Sequence, residues 1–240
     1  AYSRLPHEIT LDKPYDYVHL TINNTIEGTM YRKLPELQGQ TVVGDISSNI
    51  LGYQHDVQKY GLLYASAQKN IGPAGLTLVI VKESLLDKEQ DLPSMLDYVK
   101  LIKRDSNLNT PPVFPIYAAG LVFQWLKKQG GVKQMQQQNE AKTALLYEML
   151  DNSKLFLGTA HAPDRSLTNV PFTTESKELD EKFITQAEAN GLKNIRGHIL
   201  VGGMRASMYN AFPIEGVEAL VDFMKAFERK ERPIYATTLK

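Results

Sequence analysis

Two short apolar runs joined by a polar turn, at residues 60–81 (YGLLYASAQKNIGPAGLTLVIV), constrain the fold of this chain more than any other stretch. Residues 62–65 and 76–81 are rich in aliphatic and β-branched side chains, which is typical of buried strands. Between them, Gly72, Pro73 and Gly75 favour a turn, because proline presets its φ angle and glycine accepts positive φ. The stretch therefore predicts two neighbouring strands of one sheet.

Lys69 lies in the turn between these two predicted strands. A lysine at the end of a buried strand is partly desolvated and still faces a cleft. Burial disfavours the charged amine and lowers its pKa, and a neutral amine is the form that condenses with a carbonyl group. Most lysines are solvated, so Lys69 taken alone fits a surface position on a hairpin better.

The composition excludes several classes of site and partner. The chain has 27 basic and 27 acidic residues, and this zero net charge argues against a nucleic-acid partner. The absence of cysteine excludes disulfides, thiolate metal sites and cysteine nucleophiles. No two of the five histidines have helical ligand spacing, so no metal site is predicted. The most apolar stretch, residues 114–126, is shorter than the roughly 20 residues that a bilayer requires. We therefore expect a cytoplasmic protein without membrane partners.

The order of predicted elements indicates an α/β fold in the first part of the chain. Apolar runs predict strands at residues 15–22, 40–47, 62–65 and 76–81. Loops and short helical pieces separate them, which is typical of a mostly parallel sheet whose ligands bind beyond the carboxyl ends of the strands. After residue 93 the pattern becomes helical, with helices expected at residues 95–102, 113–128 and 132–150.

A second region follows the long predicted helix. Its expected strands and amphipathic helices lie at residues 155–159, 167–173, 177–190, 204–209 and 216–229. This pattern predicts a smaller α+β domain at the C-terminal end. We therefore expect residues 1–139 to belong to a large domain that contains the sheet and the connecting helices, and residues 140–240 to form the small domain.

Asp45 and Arg205 are further candidates for a site with Lys69. Asp45 closes an apolar strand, so it either caps a turn or serves a ligand. Arg205 lies in a glycine-rich segment (VGGMRAS, residues 201–207), and taken alone it fits a surface salt bridge. An aldehyde cofactor with a protonated ring nitrogen, acting on substrates that carry a carboxylate, needs a lysine, an aspartate and an arginine. Pyridoxal 5′-phosphate (PLP) is such a cofactor.

Three motifs around these residues closely resemble those of the phosphoserine aminotransferase family. They are GDISSNIL (residues 44–51), YASAQKNIGPAGL (residues 64–76) and GGMRASMYNA (residues 202–211), and the similarity extends over nearly the whole chain. The resemblance implies a PLP-dependent transferase of fold type I, the fold of aspartate aminotransferase. It also implies the transfer of an amino group between O-phospho-L-serine and 2-oxoglutarate in serine biosynthesis, with glutamate as the donor.

The resemblance assigns catalytic and substrate-binding roles. Lys69 would hold PLP as a Schiff base and then act as the base that moves the substrate's proton, and Asp45 would contact the ring nitrogen. Arg205 would bind the substrate's α-carboxylate through two parallel hydrogen bonds. His198 would bind the substrate as well, although a core or turn histidine is an equally good interpretation of that residue.

Further cofactor contacts are implied in the same way. Thr25 would contact the phenolic oxygen of PLP, and Gln68 would contact its phosphate. Asn109 and Thr110 would reach the cofactor phosphate of a neighbouring subunit. The resemblance therefore implies a homodimer with shared active sites.

The chain departs from the family pattern in two places. The family's chains normally begin before residue 1, with a segment that supplies a phosphate cup, a stacking tryptophan and basic residues, and Trp125 lies on a predicted helix instead. The family usually has an arginine for the substrate phosphate where this chain has Ile199. Two alternatives therefore stay open: an aminotransferase of the same fold with a non-phosphorylated substrate, and a non-catalytic, truncated fragment.

Overall fold

The first half of the chain is built around a four-stranded sheet. The structure, a computed structural model, describes residues 2–86 and 91–235. Its first six strands are β1 (Val18–Thr21), β2 (Asn23–Asn24), β3 (Thr29–Met30), β4 (Val42–Asp45), β5 (Leu62–Ser66) and β6 (Thr77–Val81). The sheet has the order β1-β4-β5-β6, in which β1, β4 and β5 are parallel and β6 is antiparallel to β5. The predicted, mostly parallel sheet is confirmed; β1, β4 and β6 are shorter than expected, and β5 is one residue longer.

The register of this sheet places Asp45 between residues of both neighbouring strands. Asp45 is opposite Thr21 of β1 on one side and opposite Tyr64 of β5 on the other. Thr21 and Asp45 end their strands, and β5 continues for two residues beyond Tyr64, so the three parallel strands leave the sheet at the same edge. In the turn that follows β5, Gly75 has a φ of +98°, so it supplies the positive φ that the sequence predicts for a glycine.

Five α-helices follow the four-stranded sheet along the described part of the chain. They are α1 (Tyr98–Lys103), α2 (Val113–Lys128), α3 (Gly131–Asn152), α4 (Lys177–Ala189) and α5 (Ile214–Tyr235). The predicted bounds of α2 are confirmed, and Gly130, with a φ of +93°, separates it from α3. The prediction of one helix at residues 95–102 is wrong for its first three residues, since α1 begins at Tyr98. Asp97 caps the start of α1 by accepting hydrogen bonds from the backbone N–H groups of Val99 and Lys100, so the α-helix cannot begin earlier.

A second, antiparallel sheet lies in the C-terminal part of the chain. It contains β7 (Leu157–Gly158), β8 (Asn169–Thr173) and β9 (Met204–Ser207), in that order. Strand β7 is shorter than the predicted strand at residues 155–159. The β2–β3 hairpin, a separate two-stranded sheet, packs against β8.

Two separate hydrophobic clusters form the interior. The first lies under the four-stranded sheet and includes Ile22, Leu63 and Ile71, all at most 1% exposed. The second is centred on phenylalanines of the C-terminal part, where the rings of Phe156 and Phe183 are 5.0 Å apart. None of the helices in the described ranges has the length and hydropathy needed to span a bilayer.

A buried lysine joins α3 to the segment that follows β9. Lys142 is 3% exposed, and its Nζ donates hydrogen bonds to the carbonyl oxygens of Tyr209 (3.0 Å) and Phe212 (3.1 Å). These bonds satisfy two of the three ammonium protons. Burial lowers the pKa of Lys142 to about 8.

We expect Lys142 to make the protein more stable as the pH rises from about 8 to 10.5. In this range the unfolded lysine still holds a proton that the folded lysine has released, so the free energy of unfolding rises by at most about 1.4 kcal/mol per pH unit. Denaturant titrations should lose this part of the slope in Lys142→Met. The exposed Lys133, on the same helix, provides the control, since Lys133→Met should keep the slope. An unchanged slope in Lys142→Met contradicts the prediction.

Candidate active site

Lys69 lies in a tight turn directly after β5, and its side chain is half-buried. The backbone N–H groups of Ile71 and Gly72 both donate to the carbonyl oxygen of Ala67, at 3.1 and 2.9 Å, and fix this turn. Burial lowers the pKa of Lys69, the charge of Asp45 raises it, and the charge of Arg205 lowers it. The structure therefore brings Lys69, Asp45 and Arg205 into one electrostatic environment.

Asp45 ends β4 and points one carboxylate oxygen into the following turn. Its Oδ1 accepts a hydrogen bond from the backbone N–H of Ser47 at 2.9 Å. Burial, the charge of Asp45 and hydrogen bonding to it raise the pKa of the neighbouring Tyr64. The Tyr64 hydroxyl also lies 3.0 Å from Nε2 of His19 on β1. Asp45 thus caps a turn, as the sequence suggests, and lies beside Lys69 as well.

Arg205 projects from β9 toward the tip of the β2–β3 hairpin. Its Nη1 donates a hydrogen bond to the carbonyl oxygen of Thr25 at 3.0 Å. Both residues are half-buried. This contact brings Thr25 and Arg205, which are 180 residues apart in the sequence, to the same side of the site.

The hairpin reaches Arg205 because Gly28 allows a close approach to β8. Gly28 has a φ of +71°, and a Cβ atom at this position would lie 2.2 Å from Cδ of Pro171. The backbone N–H of Ser166 also donates to the carbonyl oxygen of Gly28 at 2.9 Å. A side chain at position 28 would therefore push the hairpin, and Thr25 with it, away from β8 and Arg205.

Gln68 and His198 lie at less enclosed positions. Gln68 is exposed in the turn of Lys69. His198 is half-buried in a turn before β9, and its Nδ1 accepts a hydrogen bond from the backbone N–H of Leu200 at 3.3 Å. The next residue, Ile199, is 93% exposed. His198 is therefore a turn histidine, one of the two interpretations that the sequence allows. Its hydrogen bond to the Leu200 backbone uses Nδ1 and not Nε2.

Asn109 and Thr110 are not brought to Lys69. Both are exposed in the loop between α1 and α2. Within residues 2–86 and 91–235, no side-chain hydrogen bond joins either of them to Lys69, Asp45 or Arg205. Their surroundings leave them available to another molecule.

Sequence reasoning did not identify Tyr64 and His19 as neighbours of Asp45. Tyr64 belongs to the same motif as Lys69, but only the register of β4 and β5 places it opposite Asp45. Alternation along β5 carries a signal for it, because Tyr64 faces the side opposite to the buried Leu63 and Ala65. His19 has no comparable signal, since its contact depends on the strand order.

The arrangement suits a ligand that has three different groups. A half-buried amine with a lowered pKa can attack an aldehyde or ketone. A carboxylate such as Asp45 stabilises a protonated ring nitrogen, and a guanidinium such as Arg205 binds a carboxylate. Lys69 is near enough to Asp45 and to Arg205 for both charges to act on its pKa.

The charges of Asp45 and Arg205 should move the pKa of Lys69 in opposite directions. Asp45→Asn removes the charge that raises this pKa and should lower it further, whereas Arg205→Met should raise it. The pH dependence of acetylation at Lys69, followed by peptide mass spectrometry, measures both changes. The exposed Lys82 of the same hairpin is the internal control and should not respond. Shifts of the same sign in both variants contradict the prediction.

Comparison with known sequences identifies close relatives. The family model described as "Aminotransferase class-V" matches residues 4–220. A phosphoserine aminotransferase of Lactiplantibacillus plantarum is 53% identical over 232 residues, which are 96% of this chain and 65% of that protein. A phosphoserine aminotransferase of Listeria monocytogenes serotype 4b is 55% identical over 94% of this chain and 62% of that protein. The chain therefore spans somewhat less than two thirds of the length of these relatives.

Solved structures agree with these matches. A phosphoserine aminotransferase from Bacillus circulans subsp. alkalophilus has a TM-score of 0.86 and 42% identity, covering 90% of this chain and 60% of that one. A PLP-bound phosphoserine aminotransferase from Trichomonas vaginalis has a TM-score of 0.84 and 34% identity, covering 90% of this chain and 62% of that one. The predicted fold class is confirmed, and the chain belongs to the class-V aminotransferase family.

Proposed function

We propose that this chain carries the lysine-bearing part of a PLP-dependent aminotransferase, which moves an amino group between O-phospho-L-serine and 2-oxoglutarate. The observation that carries the proposal is the convergence of Lys69, Asp45 and Arg205 at the carboxyl ends of β4 and β5 and on β9. The names of the relatives support the same reaction. Serine biosynthesis is the pathway that this reaction serves.

The residues present fit PLP. Half-buried Lys69, whose pKa is lowered by burial, has the amine that binds the cofactor's aldehyde. Asp45 accepts a hydrogen bond from the backbone N–H of Ser47 at Oδ1, and its carboxylate would be the partner for the ring nitrogen. When bound, the cofactor stabilises the negative charge that develops at Cα of an amino acid. Lys69 would be the general base for the proton on that Cα.

The remaining roles are assigned as the family resemblance implies. Arg205 donates to the Thr25 carbonyl oxygen through Nη1, and its other guanidinium nitrogens would bind the substrate's carboxylate. Thr25, at the hairpin tip, would contact the phenolic oxygen of the cofactor. Gln68, exposed beside Lys69, would contact the cofactor phosphate, and His198 would contact the substrate. Glutamate is the amino donor in the direction that makes phosphoserine.

A homodimer with shared active sites is part of this proposal. Asn109 and Thr110 are exposed, and we assign them to the cofactor phosphate of the second subunit. The adjoining helix α2 supports an interface here, because several of its apolar residues lie in solvent: Val113, Phe114, Tyr117 and Leu121 are 49–69% exposed.

The division into a large and a small domain, at residues 1–139 and 140–240, also belongs to the proposal. It is supported by the two hydrophobic clusters, one on each side of the site. The proposal also includes a cytoplasmic location, which is expected from the composition. The site then lies between the domains, as ligand sites often do.

Lys69→Ala should abolish covalent capture of PLP. The unaltered chain, mixed with pyridoxal 5′-phosphate, should develop a visible absorbance band that borohydride reduction fixes on Lys69, as peptide mass spectrometry can establish. Where the chain turns over substrate, the substitution should reduce transamination by about 10²–10⁴-fold, the usual contribution of a general base. Addition of glutamate should bleach the band of the unaltered chain.

The matched control is Lys82→Ala, which removes an exposed lysine from the same hairpin and should leave the band unchanged. A label on a lysine other than Lys69 excludes the assigned role of this residue. An unaltered chain that captures no cofactor supports the alternative of a non-catalytic fragment.

A second candidate function is amino transfer to a substrate that lacks the phosphate. It is favoured by Ile199, which follows His198 and presents an apolar side chain, 93% exposed, where a cationic donor would bind a phosphate. The same observation weakens the assignment of phosphoserine without affecting the assignment of PLP. The two candidates therefore differ in substrate only.

Ile199→Arg should separate these two candidates. If phosphoserine is the substrate, the new charge-assisted hydrogen bond should lower its KM by about tenfold, which corresponds to roughly 1.4 kcal/mol. The KM for glutamate should not change. Leu200→Arg, which adds the same charge one residue later, controls for long-range attraction. An unchanged phosphoserine KM in Ile199→Arg favours the non-phosphorylated substrate.

A further inference from the structure

Three buried asparagines connect the parts of the chain that carry the candidate site. Asn70 follows Lys69 in its turn, Asn139 lies on α3, and Asn210 follows β9, which carries Arg205. They are 6%, 1% and 7% exposed. Burying an amide is unfavourable unless it forms hydrogen bonds, and each of these side chains has at least one protein partner, although Oδ1 of Asn139 has none among the described residues.

Asn70 joins two segments that flank the site. Its Nδ2 donates to the carbonyl oxygen of Ile50, at 2.9 Å, in the loop that follows Asp45. Its Oδ1 accepts a hydrogen bond from the backbone N–H of Asn210 at 3.0 Å. One amide therefore ties the residue after Lys69 to the Asp45 loop and to the continuation of the Arg205 strand.

Asn139 and Asn210 complete the connection. The Asn139 Nδ2 atom lies 3.0 Å from Oδ1 of Asn210 and 3.1 Å from the carbonyl oxygen of Gly52, and donates to both. The Asn210 Nδ2 donates to the carbonyl oxygen of Leu51 at 3.1 Å. A Cβ on Gly52 would come within 2.9 Å of both asparagine side chains, so the loop packs directly against them.

These bonds fix positions between the two hydrophobic clusters. The apolar contacts of each cluster are non-directional, and they do not by themselves determine where one cluster lies relative to the other. Hydrogen bonds of defined length and direction do so, because a displacement of about 1 Å leaves a buried amide unpaired. Lys69 belongs to a turn of the first cluster and Arg205 to a strand of the second.

We propose that Asn70, through Asn210 and Asn139, is the positioning residue that sets the place of the Lys69 amine relative to Asp45 and Arg205. The consequence for PLP rests on the proposed function, whereas the placement of the amine does not. Asn70 touches neither substrate nor cofactor in this role and acts through the backbone of its neighbour.

The placement can be measured on the whole chain without any cofactor. In Asn70→Ala, the backbone N–H of Asn210 loses its acceptor, so its hydrogen exchange should become faster. The amine of Lys69 should also leave its half-buried position, and its acetylation at pH 8 should fall by about tenfold relative to the unaltered chain. With PLP present, the rate of covalent capture should fall by about 10–100-fold, as expected when a reacting group is misplaced by about 1 Å.

A remote variant and a stability control make the test specific. Asn139→Ala removes the α3 end of the connection, far from Lys69 in the sequence, and should change the same three readouts in the same direction but less. Ile184→Ala, in the second cluster, should lower the stability of the fold and leave the acetylation of Lys69 unchanged. If Asn70→Ala does not fold, Asn139→Ala decides the test.

The outcomes separate this inference from the proposed function. If the asparagine variants change only the unfolding midpoint, as Ile184→Ala does, the three residues stabilise the fold and position nothing, and the inference is overturned. If the unaltered chain captures no PLP but Asn70→Ala still changes the acetylation of Lys69, the proposed function fails and the positioning role stands.

Discussion

The parallel register of β4 and β5 is the constraint on which the site depends. Because β4 and β5 are parallel and Asp45 is opposite Tyr64, both strands leave the sheet at the same edge, and the turn after β5 brings Lys69 near the charge of Asp45. A slip of one residue would turn Asp45 to the other face of the sheet. The buried residues of β4, Val42 and Gly44, oppose this slip, because they would then leave the buried face.

Arg205 and Thr25 are held in the candidate site by polar contacts between the two hydrophobic clusters. The two clusters are separate and do not form one continuous apolar core. Arg205 reaches Thr25 across such a contact, and the β2–β3 hairpin reaches β8 only because Gly28 has no side chain. Asn23 reinforces the same junction, since its Nδ2 donates to Ser48 Oγ (2.7 Å) and Asn169 Oδ1 (3.1 Å). Buried polar junctions of this kind add little net stability, but they select one relative orientation.

The sequence predicts most of the helices and strands, but fewer of the contacts between them. The 16-residue α2 is predicted to the residue, because an apolar run between Pro112 and Gly130 has clear start and stop signals. The helix predicted at residues 95–102 begins too early, because the α-helix starts only after its N-cap residue, Asp97. The Asp45–Lys69 pair follows from two strand ends, whereas the bond between Asn70 and Asn210 joins residues 140 positions apart and has no local signal.

The electrostatics of Lys69 come from opposing contributions that the fold keeps together. Asp45 favours the charged amine and Arg205 disfavours it, so the two side chains partly cancel, and burial remains the largest influence on the pKa of Lys69. The burial of Lys69 depends on the turn that carries it, which is held by its own backbone hydrogen bonds and by the two hydrogen bonds of the Asn70 side chain. In the positioning role proposed for Asn70, a residue without direct contact to a ligand would act on its neighbour through the position of the backbone.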